Sequence, residues 1–210
     1  MEMKKSDVFE DSADSYEEWF VKNNYILDSE IEAIKHLLPA SGEGVEIGVG
    51  TGIFSSRLGI KHGIESSGKM REKAIERGID VIGAFAEKLP MADETYQFAL
   101  MVTVDCYLAD VVQAFKEVWR ILSKDGYFII AFLDRETALG TVYDQKKHSS
   151  QSYKYANFHS AEEIENYLEM TGFAVQEKKQ TVFSLDNKPQ EIKDGVGEGL
   201  FAVIKAKKQL

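Results

Sequence analysis

The chain has 210 residues, with 35 acidic against 25 basic side chains, a net charge of −10 and a single cysteine, Cys106. That length suits one domain with a sizeable core, and 44% hydrophobic with 29% charged residues is an ordinary globular balance. One cysteine excludes an internal disulfide and a cysteine-based zinc cluster, an acidic chain lacks the basic face that nucleic acid requires, and no run approaches the ~20 apolar residues of a membrane span.

The first stretch, "MEMKKSDVFEDSADSYEEWF", is interrupted by acidic residues and has no apolar core of signal-peptide type. A soluble cytoplasmic protein is expected, binding neither nucleic acid nor membrane, with its oligomeric state open. Ser29 and Glu32 have capping-box spacing, which predicts a helix from Ser29 with Ile31, Ile34, Leu37 and Leu38 as its apolar stripe. Then "GVEIGV" reads as a strand, "IFSSRLGI" as a helix, "HGIE" as a strand and "GKMREKAIERG" as a helix closed by Gly78. "IDVIG" and Tyr96 to Val104 are strands, and Val111 to Leu122 is an amphipathic helix. "KDG", Lys124 to Gly126, is predicted to stop that helix and turn into the strand "YFIIAFL".

Ser160 and Glu163 form a second capping box ahead of "AEEIENYLEMTGF". Two strands, "FAVQEKKQTVF" and "GLFAVIKAK", follow with a polar, acidic connection but no helix between them, so they pair antiparallel at one edge. The basic run Lys205 to Lys208 reads as a solvated tail. Near-continuous apolar strands alternating with helices predict an α/β doubly wound fold, a mostly parallel seven-stranded sheet with an antiparallel edge strand. The expected organisation is a single domain over 1–210, with an N-terminal helical cap over 1–40 and an inserted lid over 134–159. The cap carries Phe9, Tyr16, Trp19, Phe20 and Tyr25, and the insert is rich in Tyr, Lys and Ser.

The chemistry is concentrated in "GVEIGVGTGIFSSRL". Gly48, Gly50 and Gly52 let the backbone turn and approach a ligand closely, and the helix that follows offers unpaired N–H groups. Ile53 stands where a dinucleotide fingerprint needs its third glycine, and no lysine follows as a P-loop requires. Glu46 would repel a pyrophosphate. Glu65, 13 residues after Gly52 at the end of the second strand, suits two ribose hydroxyls. A ribose, no pyrophosphate and a cationic amino-acid tail describe S-adenosylmethionine (SAM).

"VEIGVGTG", followed by "GIESSGKM" and "GAFAEKLPMADETYQFALMV", resembles the class I SAM-dependent methyltransferases, and most closely their small-molecule branch of ubiquinone and menaquinone biosynthesis type. The resemblance extends to "EVWRILSKDGYFIIAFLDR" and "FHSAEEIENYLEMTGF" and implies a Rossmann-like fold, SAM as cofactor and a small-molecule methyl acceptor as partner. It implies that Glu46 orients the loop and the methionine ammonium, and that Gly48, Gly50 and Gly52 line the methionine and ribose. Glu65 would hold the ribose hydroxyls, with Ser66 and Met70 beside it and the adenine. Ala86 would offer its N–H to the adenine with Glu87 adjacent, Val102 and Thr103 would lie under the sulfonium, and Tyr16 would close over the cofactor. Phe85 departs from the family, which often has an aspartate there; it would pack on the adenine or belong to the core at a strand end.

No Asn/Asp-Pro-Pro-Tyr motif follows the fourth strand, which argues against methylation of nucleobase or glutamine amino groups. On the acceptor side stand Asp105, which has the best positional claim but reads chiefly as a helix-capping or loop residue, Tyr107, Asp134 and Arg135, His148 and His159 in the lid, read chiefly as surface residues, and Cys106, read as buried packing. None is assigned a catalytic role, and no metal is expected. Tyr143, Tyr153, Tyr155 and Phe158 predict an apolar, aromatic-walled chamber that would also suit an amine. A non-catalytic SAM-binding or interaction module on the same fold is the alternative; a nicotinamide-dependent oxidoreductase is a third class, opposed by Ile53.

Overall fold

A computed structural model describes residues 7–10, 13–150 and 152–209. Three helices come first: α1 (Asp7–Glu10), α2 (Ala13–Lys22) and α3 (Asn24–Lys35). The alternating part follows as β1 (Gly44–Ile47), α4 (Ile53–Leu58), β2 (His62–Ile64), α5 (Gly68–Glu76) and β3 (Asp80–Ile82). Then come β4 (Tyr96–Val102), α6 (Val111–Ile121), β5 (Leu122–Leu133), α7 (Ala138–Lys146), α8 (Ala161–Met170), β6 (Phe173–Thr181), β7 (Lys193–Asp194) and β8 (Phe201–Lys208).

Among the described residues eight strands form one sheet, in the order β3-β2-β1-β4-β5-β8-β6-β7. Strands β1 to β5 are parallel, while β8 runs antiparallel between β5 and β6. The doubly wound architecture is as expected, with eight strands rather than seven. The extra one, β7, has two residues, paired with Lys179 and Gln180 inside the polar connection, and is too short to carry a periodic signal.

Side chains alternate across the sheet and build a core on each face. Phe98, Leu100 and Val102 of β4 face α3 and α4, while Ala99 and Met101 face α6 and α8, where Phe115 and Leu168 are fully buried. The capping box at Ser160 forms as expected, its hydroxyl accepting from Glu163 N–H and the Glu163 carboxylate accepting from Ser160 N–H.

Three local expectations are corrected. Helix α3 begins at Asn24 rather than at Ser29, whose hydroxyl donates back to Tyr25 O at 2.8 Å and accepts from Gln190 N at 3.1 Å. Strand β5 starts at Leu122, directly after α6. Lys124 to Gly126 is an irregularity within it, with Asp125 at φ 63°, where pairing jumps from Tyr96 opposite Leu122 to Phe98 opposite Tyr127. Lys205 to Lys208 is no solvated tail but part of β8. Lys208 is buried, its ammonium donating to Leu122 O at 2.6 Å and lying over the Trp119 ring.

The N-terminal helices are fastened from two sides. Toward α5, Glu10 accepts from Gly68 N at 2.5 Å, Asp14 pairs with Lys73 at 2.7 Å and Glu17 with Arg77 at 2.6 Å. From the far end of the chain, Asn187 accepts from Tyr25 N and donates to Lys22 O, both at 2.9 Å, at the junction of α2 and α3.

Candidate active site

After β1 the chain winds outward to β2, while β4 lies on its other side, so strand order reverses between β1 and β4. A cavity of about 1120 Å3 opens there, beyond the carboxyl ends of the strands. Gly48 (φ 73°) and Gly50 (φ 56°) take backbone conformations that other residues resist. A Cβ on Gly48 would lie 2.3 Å from Val104 Cγ2, whereas one on Gly50 would enter open space. Gly50 N–H donates to Glu65 Oε2 at 2.9 Å, and Ser67 N–H donates to Oε1 at 2.8 Å. The carboxylate is thereby aimed along the wall with lone pairs to spare. Burial raises its pKa, opposed by those backbone bonds.

Tyr16, Gly48, Gly50, Glu65, Ser66, Met70, Ala86, Glu87, Val102 and Thr103 all border this cavity. Glu46 and Gly52 stand behind it. Glu46 is buried and accepts a hydrogen bond from Ser55 Oγ, which ties β1 to α4, and burial pushes its pKa up to about 8. Gly52 rests against Ala74 of α5. Phe85 is half exposed and borders the cavity, so it is not part of the core. Thr103 and Val182, both on the wall, hold positive φ of 52° and 62°, strained values for β-branched side chains.

A methyltransferase-domain family model matches residues 45–130, from β1 through most of β5. An uncharacterised protein of Methanocaldococcus jannaschii is 42% identical over 96% of this chain and 98% of its own length. A SAM-dependent methyltransferase, possible histamine N-methyltransferase, of Thermotoga maritima superposes with a TM-score of 0.92 at 43% identity, over 96% of this chain and 99% of its own. The chain belongs to the SAM-dependent methyltransferases. A SAM-dependent methyltransferase of Mesorhizobium loti, 17% identical over 86% of this chain and 98% of its own with a TM-score of 0.68, shares the fold.

The cofactor of this methyltransferase is S-adenosylmethionine, and the cavity suits it: open space over Gly50, Glu65 with unused acceptor capacity, and apolar Met70 and Val102 on the wall. The same wall carries aromatic rings, among them Phe20, Tyr107, Tyr143 and Tyr153. Tyr107 hydroxyl donates to Ser152 O at 3.0 Å, and its ring stacks on Tyr153. Tyr155 and Phe158 do not border the cavity: the first is exposed, the second buried.

The structure reassigns the histidines. His148 is exposed, but His159 is buried, its Nδ1 2.9 Å from Asp105 Oδ2, so it is neither isolated nor on the surface. The two are 54 residues apart, and no sequence spacing pairs them. Asp134 and Arg135 shape the turn after β5, the first accepting from Glu136 N and the second holding Glu163 at 2.8 Å and Phe158 O at 3.1 Å. Cys106 is buried, as expected. Glu30, on the cavity wall, stands out of the apolar stripe when the helix is begun at Ser29. Begun at Asn24, the stripe Ile26, Leu27, Glu30, Ile31 and Ile34 shows a carboxylate on an apolar face. Among the described residues no helix is long and apolar enough to cross a membrane, and no group of three His, Cys, Asp or Glu is placed to hold a metal.

Proposed function

We propose that this methyltransferase works in the cytoplasm and moves a methyl group from SAM to a small-molecule acceptor. The single observation that carries this is the continuity of one cavity from Glu65 past Thr103 to Tyr143 and Tyr153. Its volume exceeds what one drug-sized ligand usually fills and leaves room for an acceptor beside the cofactor. In this reading Tyr16, Gly48, Gly50, Glu65, Ser66, Met70, Ala86, Glu87, Val102 and Thr103 hold SAM, and Glu46 and Gly52 fix the loop from behind. One domain does the work, with residues 1–40 as cap and 134–159 as lid.

SAM supplies the electrophilic methyl group. The protein's part is to align an acceptor lone pair with it and exclude water, since positioning supplies much of the rate in such a displacement. Calorimetry of S-adenosylmethionine and S-adenosylhomocysteine with wild type and Glu65→Gln tests the cofactor site. Binding to wild type, weakened about tenfold or more in the variant, is expected from losing charged hydrogen bonds to ribose. Equal binding by both would remove Glu65 from the site.

A further inference from the structure

Glu30 lines the cavity from α3 and is 7% exposed. Among the described residues no donor or cation answers it: its carboxylate takes part in no hydrogen bond or ion pair, and burial alone moves its acid, pushing the pKa up to about 8. Its charge reaches three phenols that line the same cavity. Tyr16, Tyr143 and Tyr153 are raised chiefly by their own burial, and the charge of Glu30 adds to the shift in each. Of the lysines on the cavity wall, Lys147 is paired with Asp144 at 2.8 Å, and Lys146 is exposed.

A buried carboxylate without a partner is costly, so Glu30 holds a proton near neutral pH, and a cationic ligand that brings the missing charge draws that proton off to solvent. Aromatic rings on the wall of the same cavity favour the same kind of ligand, because their faces attract cations. An acceptor bearing a carboxylate would be repelled. Resting on the reading of this cavity as a methyl-acceptor site, we propose that Glu30 is the recognition residue for the acceptor, and that the acceptor is a small organic amine whose ammonium group binds against Tyr16, Tyr143 and Tyr153 while a different atom of the molecule presents the lone pair that takes the methyl group.

The test uses the full chain saturated with S-adenosylhomocysteine, titrated calorimetrically with histamine and tyramine and with their matched alcohols, 2-(imidazol-4-yl)ethanol and tyrosol. At least one amine is expected to bind about tenfold or more tighter than its alcohol. Glu30→Gln is expected to abolish that preference while S-adenosylhomocysteine binds as in wild type, and Glu30→Asp to retain part of it. Amine and alcohol binding alike, no amine binding to the loaded protein, or a preference that survives Glu30→Gln would each overturn the proposal. If Glu30→Gln fails to fold, the wild-type comparison of amine with alcohol decides alone. Failure of S-adenosylhomocysteine itself to bind is a distinct result: the cavity reading then falls, and this proposal with it.

Discussion

His159 Nδ1 lies 2.9 Å from Asp105 Oδ2, and both side chains are almost fully buried. The pair ties the loop after β4, which borders the cavity through Thr103 and Val104, to the segment that leads into α8. His159→Ala would leave a buried carboxylate unpaired and is expected to cost about 3–5 kcal/mol of stability in urea denaturation. Asp105→Asn keeps an acceptor for the ring and is expected to cost less.

Glu30 and Glu46 make stability depend on pH. Each carboxyl titrates near 8 in the folded chain against 4.5 unexposed to the fold. Between those values the native state holds protons that the unfolded state has lost. Their contribution is therefore fully present below 4.5 and lost as pH rises through 8. Thermal denaturation is expected to show Tm falling between about pH 5 and 9. Glu30→Gln should flatten that slope and stabilise the ligand-free protein at the alkaline end by a few kcal/mol.

The two cavity glycines should fail differently when changed to alanine. Gly48→Ala drives a methyl into Val104 and is expected to destabilise the fold by about 2–4 kcal/mol. Gly50→Ala meets nothing in the protein. It is expected to cost only about 1 kcal/mol from its positive φ, yet to weaken SAM binding, because the methyl occupies ligand space. Chemical denaturation and calorimetry on both variants separate the two effects.

Much of this was readable from local pattern. The strand–glycine–helix unit, Glu65 at a strand end and the capping box at Ser160 are contiguous signals, and each appears where the sequence places it. What was not readable depends on long-range partners. Ser29 and Glu32 have capping-box spacing, yet α3 continues upstream through Ile26 and Leu27, whose burial outweighs the local signal. Lys205 to Lys208 reads as tail until β5 and β6 supply neighbours on both sides. His159 gains its carboxylate, and Glu30 its isolation, only once the chain is folded.

The clasp between the N-terminal helices and α5 is electrostatic and only partly buried, with Asp14 against Lys73 and Glu17 against Arg77. Such pairs are screened by salt. Raising ionic strength is expected to speed proteolysis within residues 13–22 a few-fold, with little change in β4 or β5. Hydrogen exchange of the same segments offers an independent check.

Strand β8 has its own consequence for how the molecule comes into being. It is the last strand in the chain, yet it sits inside the sheet, paired with β5 on one side and β6 on the other. Asn187 and Gln190, which fasten the junction of α2 and α3 and the middle of α3, also come late. A growing polypeptide thus exposes the apolar edge of β5, and holds the first helices on their α5 side alone, until this segment has been made. The cavity wall at Val182 and Leu200 is therefore set only as β8 enters the sheet.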